Sequence, residues 1–175
     1  MARVIVVCGL PGSGKTTLAS ALAAQLPAAY LRVDAIETPL MLAGVDVGPL
    51  GYQVVQELAA SNLALGIPVV IDLVDPIPQT RRLWRELAAR CAATLVVLEC
   101  VLSDPGEHRR RVEARRPDLP GQVVPTWDEV TGRNYVPWDE VRDGPRTVVD
   151  MTDTTAALAV ARSRLSLRGG TSASS

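Results

Sequence analysis

Residues 9–17 read Gly-Leu-Pro-Gly-Ser-Gly-Lys-Thr-Thr, and this stretch decides the fold. The apolar run Val4, Ile5, Val6, Val7, Cys8 comes just before it, and Leu18, Leu22 and Leu26 follow at helical spacing. Together they make the phosphate-cradling pattern G-x-x-x-x-G-K-[ST] in the strand, loop and helix setting that it requires. A triphosphate needs many hydrogen-bond donors at short range. Gly9, Gly12 and Gly14 let successive backbone N–H groups turn inward, with Pro11, Ser13 and Thr17 completing the loop, and the helix starting near Lys15 adds its positive end. Lys15 is expected to reach the β and γ oxygens, and the Thr16 hydroxyl to join the shell of a Mg²⁺ ion. ATP and Mg²⁺ are therefore the expected cofactors. Lys15 is also the single lysine of the chain, every other basic side chain being arginine.

Outward from the loop, short apolar runs alternate with helical patterns. Residues 3–8 read as a first strand, and the helix after the loop should stop at Pro27. Residues 29–33 read as a second strand ending on Asp34, with a short helix over 36–42 in a breaker-rich stretch that suits a surface substrate region. Val54, Leu58, Ser61 and Leu65 recur at helical spacing over 52–65, and residues 69–73 form an apolar run ending in Asp72 and Leu73. A helix over 80–91 presents Leu83, Leu87 and Cys91, and a buried strand follows over 94–102. Residues 104–116 form a helix with Val112 as nearly its sole apolar side chain, so it should bridge solvent or move. After a loop over 117–125, Thr126 and Glu129 predict a helix start by a capping box. Residues 146–150 and 154–165 read as the last strand and helix, and Gly169 to Ser175 as a disordered tail.

This alternation implies an α/β fold, a parallel sheet covered on both faces, in one domain over residues 1–166 with a lid at about 104–134. Ligands bind such sheets outside the carboxyl ends of the strands. The phosphate loop, Asp34, Asp72, Ser103, Asp104 and Asp150 all fall on that rim. Bulk properties agree with a single globular unit: 175 residues, 47% hydrophobic, 21% charged and a formal charge of −1. That charge balance gives no general attraction for nucleic acid. No apolar stretch approaches a membrane span, and the reading is a cytoplasmic protein with no membrane partner. Cys8, Cys91 and Cys100 lack metal-ligand spacing and read as buried thiols.

The rim residues suggest chemistry. Asp34 is placed to face the γ-phosphate and accept a proton from an attacking hydroxyl, the alternative being a helix N-cap. Asp72 would hold magnesium through a water, the alternative being a salt-bridged strand end. Arg111 and Arg115, four apart, should share a helix face and close over the nucleotide, unless the helix is a solvated face balanced by Asp104, Glu107 and Glu113. His108 reads as exposed. Around the acceptor the expected residues are Asp34, Glu37, Tyr52, Asp75 and Trp127, with Trp138 a further aromatic; ordinary packing is the alternative for each aromatic.

The order of phosphate loop, Val33-Asp34, Val70-Ile71-Asp72 and Arg111-x-x-x-Arg115 resembles the nucleoside-monophosphate-kinase-like group of P-loop kinases. Within it the pattern is most similar to chloramphenicol 3-O-phosphotransferase, 5′-hydroxyl polynucleotide kinase domains and bacterial AAA-family ATPases or kinases. The resemblance covers most of residues 3–160 and implies a three-layer P-loop NTPase with sheet order 2-3-1-4-5, Asp34 as general base and Arg111 and Arg115 as lid arginines. Polynucleotide kinases carry a basic residue shortly after that acid, whereas Ile36, Glu37 and Thr38 stand here. This departure points away from a nucleic-acid acceptor, and Leu40, Met41 and Leu42 point to one with an apolar portion.

The expectation is an ATP-dependent phosphotransferase acting on a hydroxyl of a small organic molecule, with antibiotics and nucleosides in view. The competing expectations are a 5′-hydroxyl polynucleotide or nucleoside kinase, and an ATP-dependent switch that binds a partner. A guanine-recognising Asn/Thr-Lys-x-Asp signature is absent from the sequence.

Overall fold

A computed structural model describes residues 2–166; the tail read at Gly169 to Ser175 lies outside them. Five parallel strands form one sheet in the order β2-β3-β1-β4-β5, the order that the resemblance implies. They are β1 (Arg3–Cys8), β2 (Ala29–Arg32), β3 (Val69–Asp72), β4 (Thr94–Val101) and β5 (Thr147–Asp150). Every strand-to-strand connection carries a helix: α1 (Lys15–Gln25), α2 (Val33–Leu42), α3 (Leu50–Ala64), α4 (Pro78–Arg90), α5 (Pro105–Ala114), α6 (Trp127–Thr131) and α7 (Glu140–Asp143), with α8 (Thr154–Arg164) last. Among the described residues no helix is long and apolar enough to cross a membrane.

Strand alternation sends side chains of β1 into two cores. Val4, Val6 and Cys8 pack with Val55, Ala59, Trp84 and Leu87 from α3 and α4. Ile5 and Val7 pack with Leu18 and Leu22 of α1 and Ala157 and Ala161 of α8. Both faces of the central strands are thus covered, which is why they read as unbroken apolar runs. In register, Val7 of β1 pairs with Asp72 of β3, and Cys8 with Glu99 of β4, so the strand ends converge where the phosphate loop begins.

Several local expectations change. Val33 starts α2 rather than ending β2, so Asp34 sits in the first helical turn, where the helix's positive end favours a carboxylate; the N-cap is Arg32. The buried stripe of α3 is Gly51, Val55, Ala59 and Leu63, one position away from the stripe expected. Val54, Leu58 and Leu65 are exposed, because small residues let α3 lie close against the sheet. On α4 the buried residues include Arg81 and Trp84 beside Leu87. Arg81 donates to Asp143 Oδ2 at 2.8 Å and to the Val136 carbonyl at 2.6 Å, with the Trp138 ring 4.6 Å from its guanidinium. This buried ion pair pins the chain between α6 and β5 to the body of the protein. Cys8 and Cys100 are buried, and Cys91 is half-buried.

Candidate active site

The loop between β1 and α1 takes its shape from glycines in backbone conformations that strain any residue with a Cβ. Gly14, the N-cap of α1, has φ 88°, and Gly12 has φ 81°. A Cβ on Gly12 would lie 2.5 Å from a methyl of Val112, so α5 rests directly on the loop. Lys15, the first residue of α1, is 5% exposed. Burial pulls its ammonium below the ordinary lysine value, while the carboxylates of Asp72 and Asp34 pull it back up.

Helix α5 is fastened to this loop. His108 Nε2 lies 2.8 Å from the Pro11 carbonyl, to which it donates, and the ring meets Trp127 edge-on at 5.3 Å. His108 is therefore half-buried and structural in place, not the exposed side chain expected. Arg111 donates to Glu107 at 2.6 Å and to the Met151 carbonyl at 3.0 Å, tying α5 to the segment after β5. Val112 is buried against the loop, so a nearly wholly polar helix is still held by one apolar contact. Arg115 does not continue the face of Arg111. Helix α5 ends at Ala114, and Arg115 is its extended C-cap (φ −62°, ψ 137°).

Two cavities meet here. The first, about 440 Å³, is lined by Gly12, Gly14, Lys15, Thr16, Thr17, Arg111, Arg115 and Arg116. The second, about 190 Å³, is lined on one side by Val33, Asp34, Glu37, Thr38, Met41 and Tyr52, and on the lid side by Arg115, Gln122, Val123, Pro125 and Arg133. Lys15 and Arg115 belong to both.

Asp34 is held through one oxygen. Its Oδ2 accepts from Gln122 at 3.1 Å and Arg32 at 3.3 Å, with Arg115 at 3.9 Å. Its Oδ1 accepts no hydrogen bond from the described residues. Arg32 also forms a two-pronged pair with Asp118 at 2.6 and 3.0 Å, which anchors the lid loop to the end of β2. Beneath them Asp72 is 2% exposed. Its Oδ2 accepts from the Tyr30 hydroxyl at 2.8 Å, and its Oδ1 is buried without a partner. A hard cation with its own waters suits that oxygen and the Thr16 hydroxyl, so the residues present fit Mg²⁺.

The structure does not bring every expected residue together. Asp75 is fully buried under the loop and opens on neither cavity. Trp127 packs on His108 and lines a third groove with Arg109 and Val112, which shares Arg115 and Pro125 with the cavity beside Asp34 but leaves Trp127 outside that cavity. Trp138 stacks on Arg81, away from Asp34. Conversely, Arg32, Asp118, Gln122 and Arg133 escaped the sequence reading. Arg32, two residues before Asp34, carried a faint signal, whereas the loop at 117–125 has no period to read.

The sequence profile of the AAA domain family matches residues 4–129. The chain belongs to the AAA domain family. A search of curated proteins finds no match to this AAA domain. Its fold is shared with an unliganded sugar kinase from Janibacter sp. HTCC2649, at 17% identity over 96% of both chains and a TM-score of 0.73. The APS kinase of Mycobacterium tuberculosis, solved with AMPPNP and APS, aligns at 17% identity over 94% of this chain and 98% of that one, with a TM-score of 0.65. A gluconokinase from Sinorhizobium meliloti 1021 aligns at 20% identity over 95% of each chain, with a TM-score of 0.60. At these identities the likeness is one of fold, and that fold is the P-loop kinase fold expected from the sequence.

Proposed function

We propose that this AAA domain moves the γ-phosphate of ATP to a hydroxyl of a small organic molecule. The observation that carries the reading is the meeting of two cavities at Lys15 and Arg115, one floored by the phosphate loop and the other by Asp34. The nucleotide phosphates occupy the first, and the acceptor occupies the second. Asp34 Oδ1, left free while Oδ2 is gripped by Arg32 and Gln122, takes the hydroxyl proton as the acceptor oxygen bonds to the γ-phosphorus. The bond from that phosphorus to the β–γ bridging oxygen breaks, and ADP leaves. Lys15, Arg111 and Arg115 meet the charge on the moving group, which is where a P-loop kinase gains most of its rate. Thr16 and, through a water, Asp72 would hold Mg²⁺, which neutralises charge on the β and γ oxygens when bound.

The test is Asp34→Asn. General-base loss lowers turnover by about 10²- to 10⁴-fold, read as acceptor-dependent ADP release, while calorimetry shows ATP binding retained. Turnover near that of the parent protein with a verified acceptor would overturn the base assignment. Nucleotide-dependent complex formation with no phosphorylated acceptor would favour a switch instead.

A further inference from the structure

Glu37 follows Asp34 by three residues on α2, so the two carboxyl groups leave the same helical face, and both line the 190 Å³ cavity. Their surroundings differ. Asp34 and Asp118 are paired with Arg32, and Asp72 is bonded to Tyr30, whereas Glu37 has no hydrogen bond or ion pair from the described residues. Room for it is made by Gly51 of α3, where a Cβ would stand 2.8 Å from Glu37 Cδ. The groups facing it are Asp34 from its own helix, Tyr52 from α3 and Arg133 from the segment after α6. Burial and the Asp34 charge push its carboxyl up to about 7, against a smaller pull from Arg133.

We infer that Glu37 seats an ammonium group of the acceptor, so that the substrate of the site is an amino alcohol. This rests on the kinase reading above. An ammonium beside Glu37 turns the repulsion between two carboxylates one turn apart into attraction for a shared cation. A neutral hydroxyl leaves that repulsion in place, and an acidic acceptor adds to it. Lys15, Arg115 and Arg133 line the same cavity, yet within the described residues none of them forms an ion pair with Glu37: Lys15 and Arg115 act on Asp34, Arg115 and Arg32 approaching it at Oδ2, and Arg133 pulls on Glu37 from beyond ion-pair distance. Drug-sized pockets run to about 300–1,000 Å³, so the cavity takes a small acceptor or one end of a larger one.

The experiment uses matched pairs: glucosamine with glucose, 2-amino-1,3-propanediol with glycerol, and ethanolamine with ethylene glycol. Binding to the full chain loaded with a non-hydrolysable ATP analogue is read by calorimetry, and phosphorylation by mass spectrometry. Amine members bind and are phosphorylated in preference to their alcohols, and Glu37→Gln lowers kcat/KM for the amines by about 10- to 100-fold, the range for a hydrogen bond to a charged group. ATP affinity is unchanged. Gly51→Ala, which crowds Glu37 from α3, lowers amine affinity in the same direction and guards against a folding defect in the first variant. Amines bound through Glu37 but never phosphorylated would overturn the kinase reading and leave the ammonium seat standing. If neither binding nor turnover separates amines from alcohols, or Glu37→Gln leaves the preference intact, the seat is overturned whatever the kinase assay gives.

Discussion

Asp75→Asn should make this protein more stable above neutral pH and leave it unchanged in acid. Asp75 is 0% exposed, its φ is 56°, and neither carboxylate oxygen has a hydrogen-bond partner. Thr80 and Trp84 face the carboxylate, yet the Thr80 hydroxyl donates to the Ile77 carbonyl and the Trp84 indole N–H is itself unpaired. Burial pushes the carboxyl up from 3.8 to about 6, over the opposing pull of Thr80, Arg81 and Trp84. A folded-state value above the unfolded one means that the native protein keeps a proton that the unfolded chain releases between those two values. Stability therefore falls as pH rises through that window and stays low above it. At about 1.4 kcal/mol per pH unit the rise costs ~3 kcal/mol at pH 8. Asparagine keeps the shape, carries no charge and tolerates the left-handed backbone well. Urea unfolding at pH 8 should then show Asp75→Asn about 3 kcal/mol more stable, with the difference vanishing below about pH 3. Subtracting the two proteins removes the contribution of Glu37, which titrates in both. A variant less stable than its parent at pH 8, or a difference that does not change with pH, would refute the reasoning.

Other outcomes follow from the same geometry. Gly12→Ala forces a side chain into the left-handed region and into Val112, at a cost of about 1–3 kcal/mol that calorimetry with an ATP analogue reads as weaker binding. Arg81→Leu leaves Asp143 buried with the half-exposed Arg142 as its remaining cation; breaking such a pair costs about 3 kcal/mol or more, seen as a lower urea midpoint. Asp72→Asn should raise the Mg²⁺ concentration needed for turnover by about 10- to 100-fold, the effect of losing an outer-sphere partner, while binding of metal-free ATP holds.

How far the sequence could be read depended on the range of the interactions. The phosphate loop, the strands and the capping box at Thr126 were legible because each rests on contacts within a few residues. The stripe of α3 was misplaced because both of its candidate faces are apolar, and choosing Val55, Ala59 and Leu63 over Val54, Leu58 and Leu65 depends on how closely the helix can approach the sheet. Nothing in the helical pattern of Leu83, Leu87 and Cys91 singles out Arg81, and only its distant partners Asp143 and Val136 bury it. The lid loop gave no signal, since Asp118 and Gln122 act on residues more than eighty positions away.

By itself the sequence determined the phosphate-gripping loop, the parallel alternation of strand and helix, and the placing of Asp34 and Asp72 on one rim, all consequences of local backbone preference and short-period patterning. The tertiary structure alone decided that Asp34 is clasped through one oxygen, that Glu37 stands unpartnered beside it, and that Asp75 and Trp127 lie outside the cavity. Burial and electrostatic pairing are set by which elements meet in space, and that meeting is not written in the neighbours of any one residue.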